Sequence, residues 1–325
     1  MKFDQPFLQL PKRFCADTLA REVAALDASA WVAHPGKLPG NDAVLLITPG
    51  GELTHSVSGP MQPTDHLLAC PYILQVMEEL GGVWGRSRLM GLAPGAEVPP
   101  HVDLNYYWRT HIRIHIPVVT NPQVEFTCED ETVHMSEGEC WIFDSFRPHR
   151  VRNGGKDKRV HLVLDTVGGD RFWKTVDDAI AGTPRPDAPL LPAASASHAL
   201  DYEVLNTPTV MSPWEIRCHS RYLLDRVAHA TPAVRKVEAR LDRFADEWMA
   251  IWASRDPSGQ VADEYGARIA AVKRDLQALG AGMIALTNSA PLDRALDESI
   301  FRFALPSGPA TVPARLAEPL RRVAS

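Results

Sequence analysis

The sequence predicts a mainly β protein with helices: an all-β barrel or sandwich in roughly the first 182 residues, then an α-helical domain over 212–325. Three observations carry this. Short segments rich in Val, Ile, Leu and aromatics, punctuated by Gly, Pro and Asp, recur at 43–48, 87–92, 111–119, 123–128, 139–144 and 159–166. A stretch dominated by Pro, Ala and Ser, 183–211, interrupts them and reads as a linker or a loop laid over the surface. Beyond it, apolar residues recur at steps of three and four, the mark of amphipathic helices.

Each element has a local reason. Leu19, Val23, Ala24, Leu26 and Trp31 predict a helix around 15–31, and a second covers 72–81. Ser212-Pro213-Trp214-Glu215 has the form of a capping box with Pro at the first helical position. Thr231-Pro232 opens a further helix along Val234, Val237, Leu241, Phe244, Trp248 and Ile251. Another follows along Tyr265, Ile269, Val272, Leu276 and Leu279 and is ended by Gly280. These stripes read as helix-packing core or as the seam of a homodimer. The last fifteen or so residues read as a fraying end.

Bulk properties exclude several classes. The 325 residues are 45% hydrophobic and 23% charged, with a formal net charge of −6, so no basic face for nucleic acid or an acidic membrane is expected. No run approaches the roughly 20 apolar residues of a membrane span. Asp4 and Pro6 stand where a signal peptide would have its apolar core, so a cytoplasmic protein is expected. Cys15, Cys70, Cys128, Cys140 and Cys218 are odd in number and lack a C-x-x-C, which argues against a disulfide framework or a zinc knuckle.

Chemistry concentrates in 94–166. In an extended chain, residues two apart share a face, so His101 and Asp103 of Pro100-His101-Val102-Asp103 can present an imidazole and a carboxylate to one point. Alone such a pair is weak. His149, forty-six residues after Asp103, completes the two-histidine, one-carboxylate facial set that suits non-haem iron(II) and leaves coordination positions open. Arg159 opens the alternating strand R-V-H-L-V-L-D. If His149 starts one strand and Asn153-Gly154-Gly155 turns the chain, Arg159 can return alongside and grip a carboxylate.

Together these residues resemble the aspartyl/asparaginyl β-hydroxylase-like family of iron(II)/2-oxoglutarate-dependent dioxygenases. The resemblance is carried by Ala93-Pro94-Gly95, Pro100-His101, Arg113-Ile114-His115-Ile116-Pro117, the run Glu137 to Asp144, His149, and Arg159 through Asp165. It covers about 85–167. It implies a double-stranded β-helix, a cupin-like jelly roll, with iron(II), 2-oxoglutarate and O2 as cofactors. His101, Asp103 and His149 are then the catalytic metal ligands, Arg159 binds the distal carboxylate of 2-oxoglutarate, and Arg113 and His115 approach the carboxylate end near the metal. Asp103 implies hydroxylation rather than halogenation. Some members place a hydroxyl residue eleven positions before the first metal histidine; here that position is Met90, and Arg88 faces the same way.

The implied reaction hydroxylates an unactivated C–H of a small molecule, an amino acid or a derivative, free or carrier-bound, with succinate and CO2 as co-products. Asn105, Tyr107, Trp108 and Arg109, directly after the H-x-D, and Arg147, beside His149, are candidate substrate contacts. Two alternatives stay open: a cupin-type metalloenzyme that does not use 2-oxoglutarate, and a non-catalytic metal- or ligand-binding barrel. The helical region matches no motif and is open to dimerisation, a lid or a docking surface for a carrier.

Overall fold

A nine-stranded, mostly antiparallel sheet faces a four-stranded one. The computed structural model describes residues 5–36, 38–193, 199–206, 210–254 and 262–305. Strands in chain order are β1 (Phe7–Arg13), β2 (Val32–Ala33), β3 (Asn41–Pro49), β4 (Met61–Pro63), β5 (Val83–Leu92), β6 (Glu97–His101), β7 (Ile112–Val119), β8 (Val124–Cys128), β9 (Glu131–Val133), β10 (Glu139–Phe143), β11 (His149–Asn153), β12 (Arg159–Thr166) and β13 (Asp201–Tyr202). The larger sheet runs β1-β10-β7-β12-β5-β3-β2, with β4 on β3 and β13 on β5. The smaller runs β6-β11-β8-β9. From β5 to β12 consecutive strands alternate between the two sheets, except for the β8–β9 pair, which makes the jelly-roll architecture.

The alternation of side chains explains why this fold can hold a polar site. On β12 every residue is buried, because both faces are covered. Val160, Leu162 and Leu164 point outward into an apolar core with Ile112, Ile114, Ile116, Leu89 and Val44. That core is roofed by helices α1 (Ala16–Ala25), α3 (Pro71–Leu80) and α5 (Asp170–Ile180), with the short α2 (Asp65–Leu68) between. Arg159, His161, Val163 and Asp165 point the other way, between the sheets. The same period of two sends Arg113 and His115 of β7, and Arg88 and Met90 of β5, to that inner face.

Arg159 does not return beside His149 as a hairpin. β11 pairs with β6 and β8 in the smaller sheet, whereas β12 lies between β7 and β5 in the larger. The turn after Asn153 is a crossover between sheets, so the two residues belong to different sheets and line one cavity. Asn153 makes this corner: its fully buried Nδ2 donates to the carbonyls of Leu92, Ala93 and Asp157.

After the turn α4 (Tyr107–Thr110), the remaining helices are α6 (Pro213–Leu224), α7 (Pro232–Ala253), α8 (Ala262–Ala278) and α9 (Leu292–Leu296), which runs into a π turn, Asp297–Phe301. The capping box forms: Ser212 accepts from Glu215 N–H, and the Glu215 carboxylate accepts from Ser212 N–H. Thr231 caps α7. Gly280 follows α8 at φ 75°, a left-handed conformation that glycine adopts without steric cost. The stripe Val237, Leu241, Phe244, Trp248 and Ile251 is buried within the chain, with Tyr265, Val272 and Leu276 of α8. It is therefore core. The C-terminal fifteen residues lie outside those described.

This second core reaches into the barrel's loops. Leu104 and Phe146 are members of it, and fully burying such side chains contributes about 1.5–3 kcal/mol each. Of segment 183–211, Leu190 bridges to Phe14, and β13 adds to β5 in parallel. No helix among the described residues is long and apolar enough to cross a membrane.

Candidate metal centre

His101 ends β6 and His149 begins β11, and the two are direct cross-strand partners. Their rings lie 4.1 Å apart between centroids. Asp103 stands two residues past His101, outside any strand, with its N–H donating to Ser145 O at 3.0 Å. One ligand atom from each of the three lies within 4.8 Å of the others, the one such group of His, Cys, Asp and Glu among the described residues. Each histidine points Nδ1 at a backbone carbonyl two residues earlier, His101 at Pro99 O and His149 at Arg147 O, both 2.9 Å. An Nδ1–H donated there leaves Nε2 as the lone-pair donor, the arrangement of metal-bound imidazoles.

Burial pushes His149 down to about 4, against the opposing pull of Asp103, so its ring is neutral and ready to coordinate. Three protein ligands suit a metal with open positions better than a closed four-ligand zinc site.

The triad opens on a cavity of about 430 Å³ between the sheets. Its floor is a ladder across β5, β12 and β7. At one end lies Arg159, opposite Leu92. Its Nε and Nη2 are buried without a hydrogen-bond partner, and burial draws it down to about 9. A buried, unsatisfied guanidinium is costly and fits a carboxylate. Beside it, the Nε2 atoms of His115 and His161 are also buried without partners, and their Nδ1 atoms meet at 3.4 Å.

At the other end Asp165 is held between two arginines. Arg113 makes a bidentate pair with it, Nε–Oδ1 2.8 Å and Nη2–Oδ2 3.0 Å, and Arg86 Nη2 stands 3.8 Å away. Tyr107 Oη donates to the same carboxylate at 3.2 Å. One row inward, Arg88 faces Val163 across the strand pair. Its side chain makes no hydrogen bond or ion pair to any described residue, and burial, then Arg86 and Arg113, push it well below its ordinary value. Four residues of strand separate the rows of Arg159 and Arg88, about 13 Å. Four arginines thus line one cavity together with Asp103, and Asp165 is buried against Arg113.

The other expected contacts divide. Trp108 lines this cavity, its ring against Arg113 at 4.1 Å. Asn105 and Tyr107 line a second cavity on the far side of α4, of about 770 Å³. Arg109 turns to the helical region, stacked 3.1 Å from the Tyr222 ring. Arg147 pairs with Glu129 and Asp144. Arg86 and His34 line the site, and Asp165 holds Arg113 in it, with no role foreseen for them. The signal for Asp165 was present, since the period of two on β12 puts it on the face of Arg159.

Acid should unfold this protein readily. Burial holds His115, His149, His161 and His219 below their ordinary 6.5, with His149 and His219 at about 4. Below 6.5 the unfolded chain takes up these protons and the folded chain does not. Stability is therefore complete above about pH 6.5 and falls as pH drops towards 4, by up to about 1.4 kcal/mol per pH unit for each such histidine. A melting temperature that stays level from pH 7 to about 4.5 would contradict this.

Residues 51–168 match the family described as aspartyl/asparaginyl beta-hydroxylase. L-proline cis-4-hydroxylase of Rhizobium meliloti (strain 1021) is 30% identical over 97 residues, 29% of this chain and 35% of that enzyme. The chain thus spans about a third of the length of this curated relative. Among solved structures, similar chains include a 2OG-Fe(II) oxygenase-family oxidoreductase from Burkholderia pseudomallei, with 14% identity and a TM-score of 0.39 over 52% of this chain and 88% of that one. A Pseudomonas putida prolyl-4-hydroxylase shows 17% identity and a TM-score of 0.36 over 50% and 93%. The segment from 51 to 168, which supplies the His-Asp-His triad and all four cavity arginines, belongs to the aspartyl/asparaginyl β-hydroxylase family.

Proposed function

We propose that this chain is an iron(II)- and 2-oxoglutarate-dependent dioxygenase that hydroxylates an unactivated C–H of an amino acid or amino-acid derivative. The observation that carries the reading is a single cavity that joins an open His-Asp-His triad to a buried guanidinium with unsatisfied donors. When bound, iron and its cosubstrate supply the oxidising chemistry, in which O2 and 2-oxoglutarate become succinate and CO2 as hydroxyl is transferred to the substrate.

The residues' tasks follow from position. His101, Asp103 and His149 would hold the metal. Arg159 would receive the distal carboxylate of 2-oxoglutarate, its loss of water being repaid by a charge-assisted fork. Arg113, fixed by Asp165, and the neutral His115 would meet the carboxylate end nearer the metal. Arg88 is then left over, four residues of strand from Arg159. We assign it to a carboxylate of the prime substrate. Phe126, Phe143, Leu92 and Trp108 wall the cavity, exclude water and orient the reacting carbon. The volume lies in the usual range for a small-molecule site. The relative whose name specifies L-proline agrees with a substrate of this class.

The test is anaerobic. Protein reconstituted with iron(II) and 2-oxoglutarate should develop a weak visible charge-transfer band that His149→Ala abolishes. Amino acids are then screened for succinate release. Iron uptake without the band would favour a metalloenzyme that makes no use of 2-oxoglutarate.

A further inference from the structure

Of the triad, Asp103 lies on a loop and His149 begins its strand directly after one. Asp103 follows the end of β6 and is in no strand, and His149 is reached through the turn 144–148. Both loops end in the C-terminal helical core. Leu104, the residue after Asp103, is buried there, and its carbonyl accepts from Ser299 Oγ at 2.9 Å. Tyr106 N–H donates to Glu298 O at 2.9 Å, and its ring stacks on Phe303. Phe146, three residues before His149, enters the same core edge-on to Tyr222. Its carbonyl accepts from Asn288 Nδ2 at 2.8 Å. Asn288 and Ser299 are themselves buried. Asp103 N–H to Ser145 O ties the two loops to each other.

We infer that the helical region is a clamp for the metal centre, and that Asn288 and Ser299 are positioning residues that set the separation of Asp103 and His149. This rests on the reading of the triad as a metal site. The physical reason is that a loop carbonyl buried without a partner would move to find one. Here each loop carries such a carbonyl one to three residues from a ligand. Ligand sets lose affinity when displaced by about half an ångström, so the partner of that carbonyl governs the site from a distance. Ser299 lies in the π turn, a single wide turn that helices retain where a side chain must be aimed at a functional site.

The test uses the full chain and Co(II) as the probe. Asn288→Ala and Ser299→Ala are made singly and together. Val272→Ala, in α8, which packs on α7 and α9, is the control for simple loss of helical stability. Each variant is measured for Co(II) affinity, melting temperature, and, without metal, hydrogen exchange of peptides spanning 102–106 and 144–148. The double variant should bind Co(II) about 10–100-fold more weakly, the range for loss of outer-shell support, with faster exchange at both loops. Ser299→Thr, which keeps the hydroxyl, should retain affinity, and so should Val272→Ala. If the double variant does not fold, each single variant carries the same expectation for its own loop. Affinity within twofold of wild type in the alanine variants would overturn the clamp. So would an equal loss in Val272→Ala at matched melting temperature. A wild type that takes up no Co(II) overturns the metal reading itself, and is told apart by the exchange data, which need no metal.

Discussion

Replacing Asp103 with alanine is expected to leave a folded protein that no longer retains iron and no longer forms succinate. Asp103 lies at the cavity mouth, outside strand and core, so its carboxylate can go without opening a void. Its loss removes the one anionic ligand from a three-ligand set. Metal affinity should fall by more than the roughly 10–100-fold that loss of an outer-shell partner costs. Metal content after dialysis, beside an unchanged melting curve, checks this. Full metal content in Asp103→Ala would remove the residue from the ligand set.

The second large effect is a pair of opposite responses at the two ends of the floor. Arg159→Met should raise the 2-oxoglutarate requirement by about 30-fold or more, because truncating one partner of a buried charge pair costs about 2–5 kcal/mol. The prime substrate's requirement should change little. Arg88→Met should do the reverse: the anaerobic 2-oxoglutarate band persists, while saturation by the amino acid is lost. Steady-state kinetics in both substrates decide it. A matching rise in the 2-oxoglutarate requirement for Arg88→Met would show that both guanidiniums serve the cosubstrate.

How much was legible in the sequence depends on which interaction set each element. The strands β7 and β12 announce themselves through alternation, and the helices after 212 through caps and stripes, because these are local properties. β6 carries two prolines and β1 one, so composition argues against strands that nonlocal pairing nevertheless forms. The sheet to which β12 belongs is equally nonlocal. Spacing alone put Arg159 beside His149, whereas the structure places them in different sheets. His101, Asp103, His149 and Arg159 could be picked out because their chemistry is unusual in combination. Arg109 and Arg147 show the limit of adjacency, since a neighbour in a turn points wherever its own partners are. Asn288 and Ser299 act through carbonyls of other residues, and no local pattern betrays that.

The two prolines that precede His101 have a consequence for how copies of this chain meet. β6 is the outer strand of the smaller sheet, and its far side offers backbone groups to any extended segment that arrives. Pro99 and Pro100 carry no amide hydrogens, so the template for strand addition is broken next to the cavity mouth. Fibre-like stacking of barrels through this rim is thereby disfavoured.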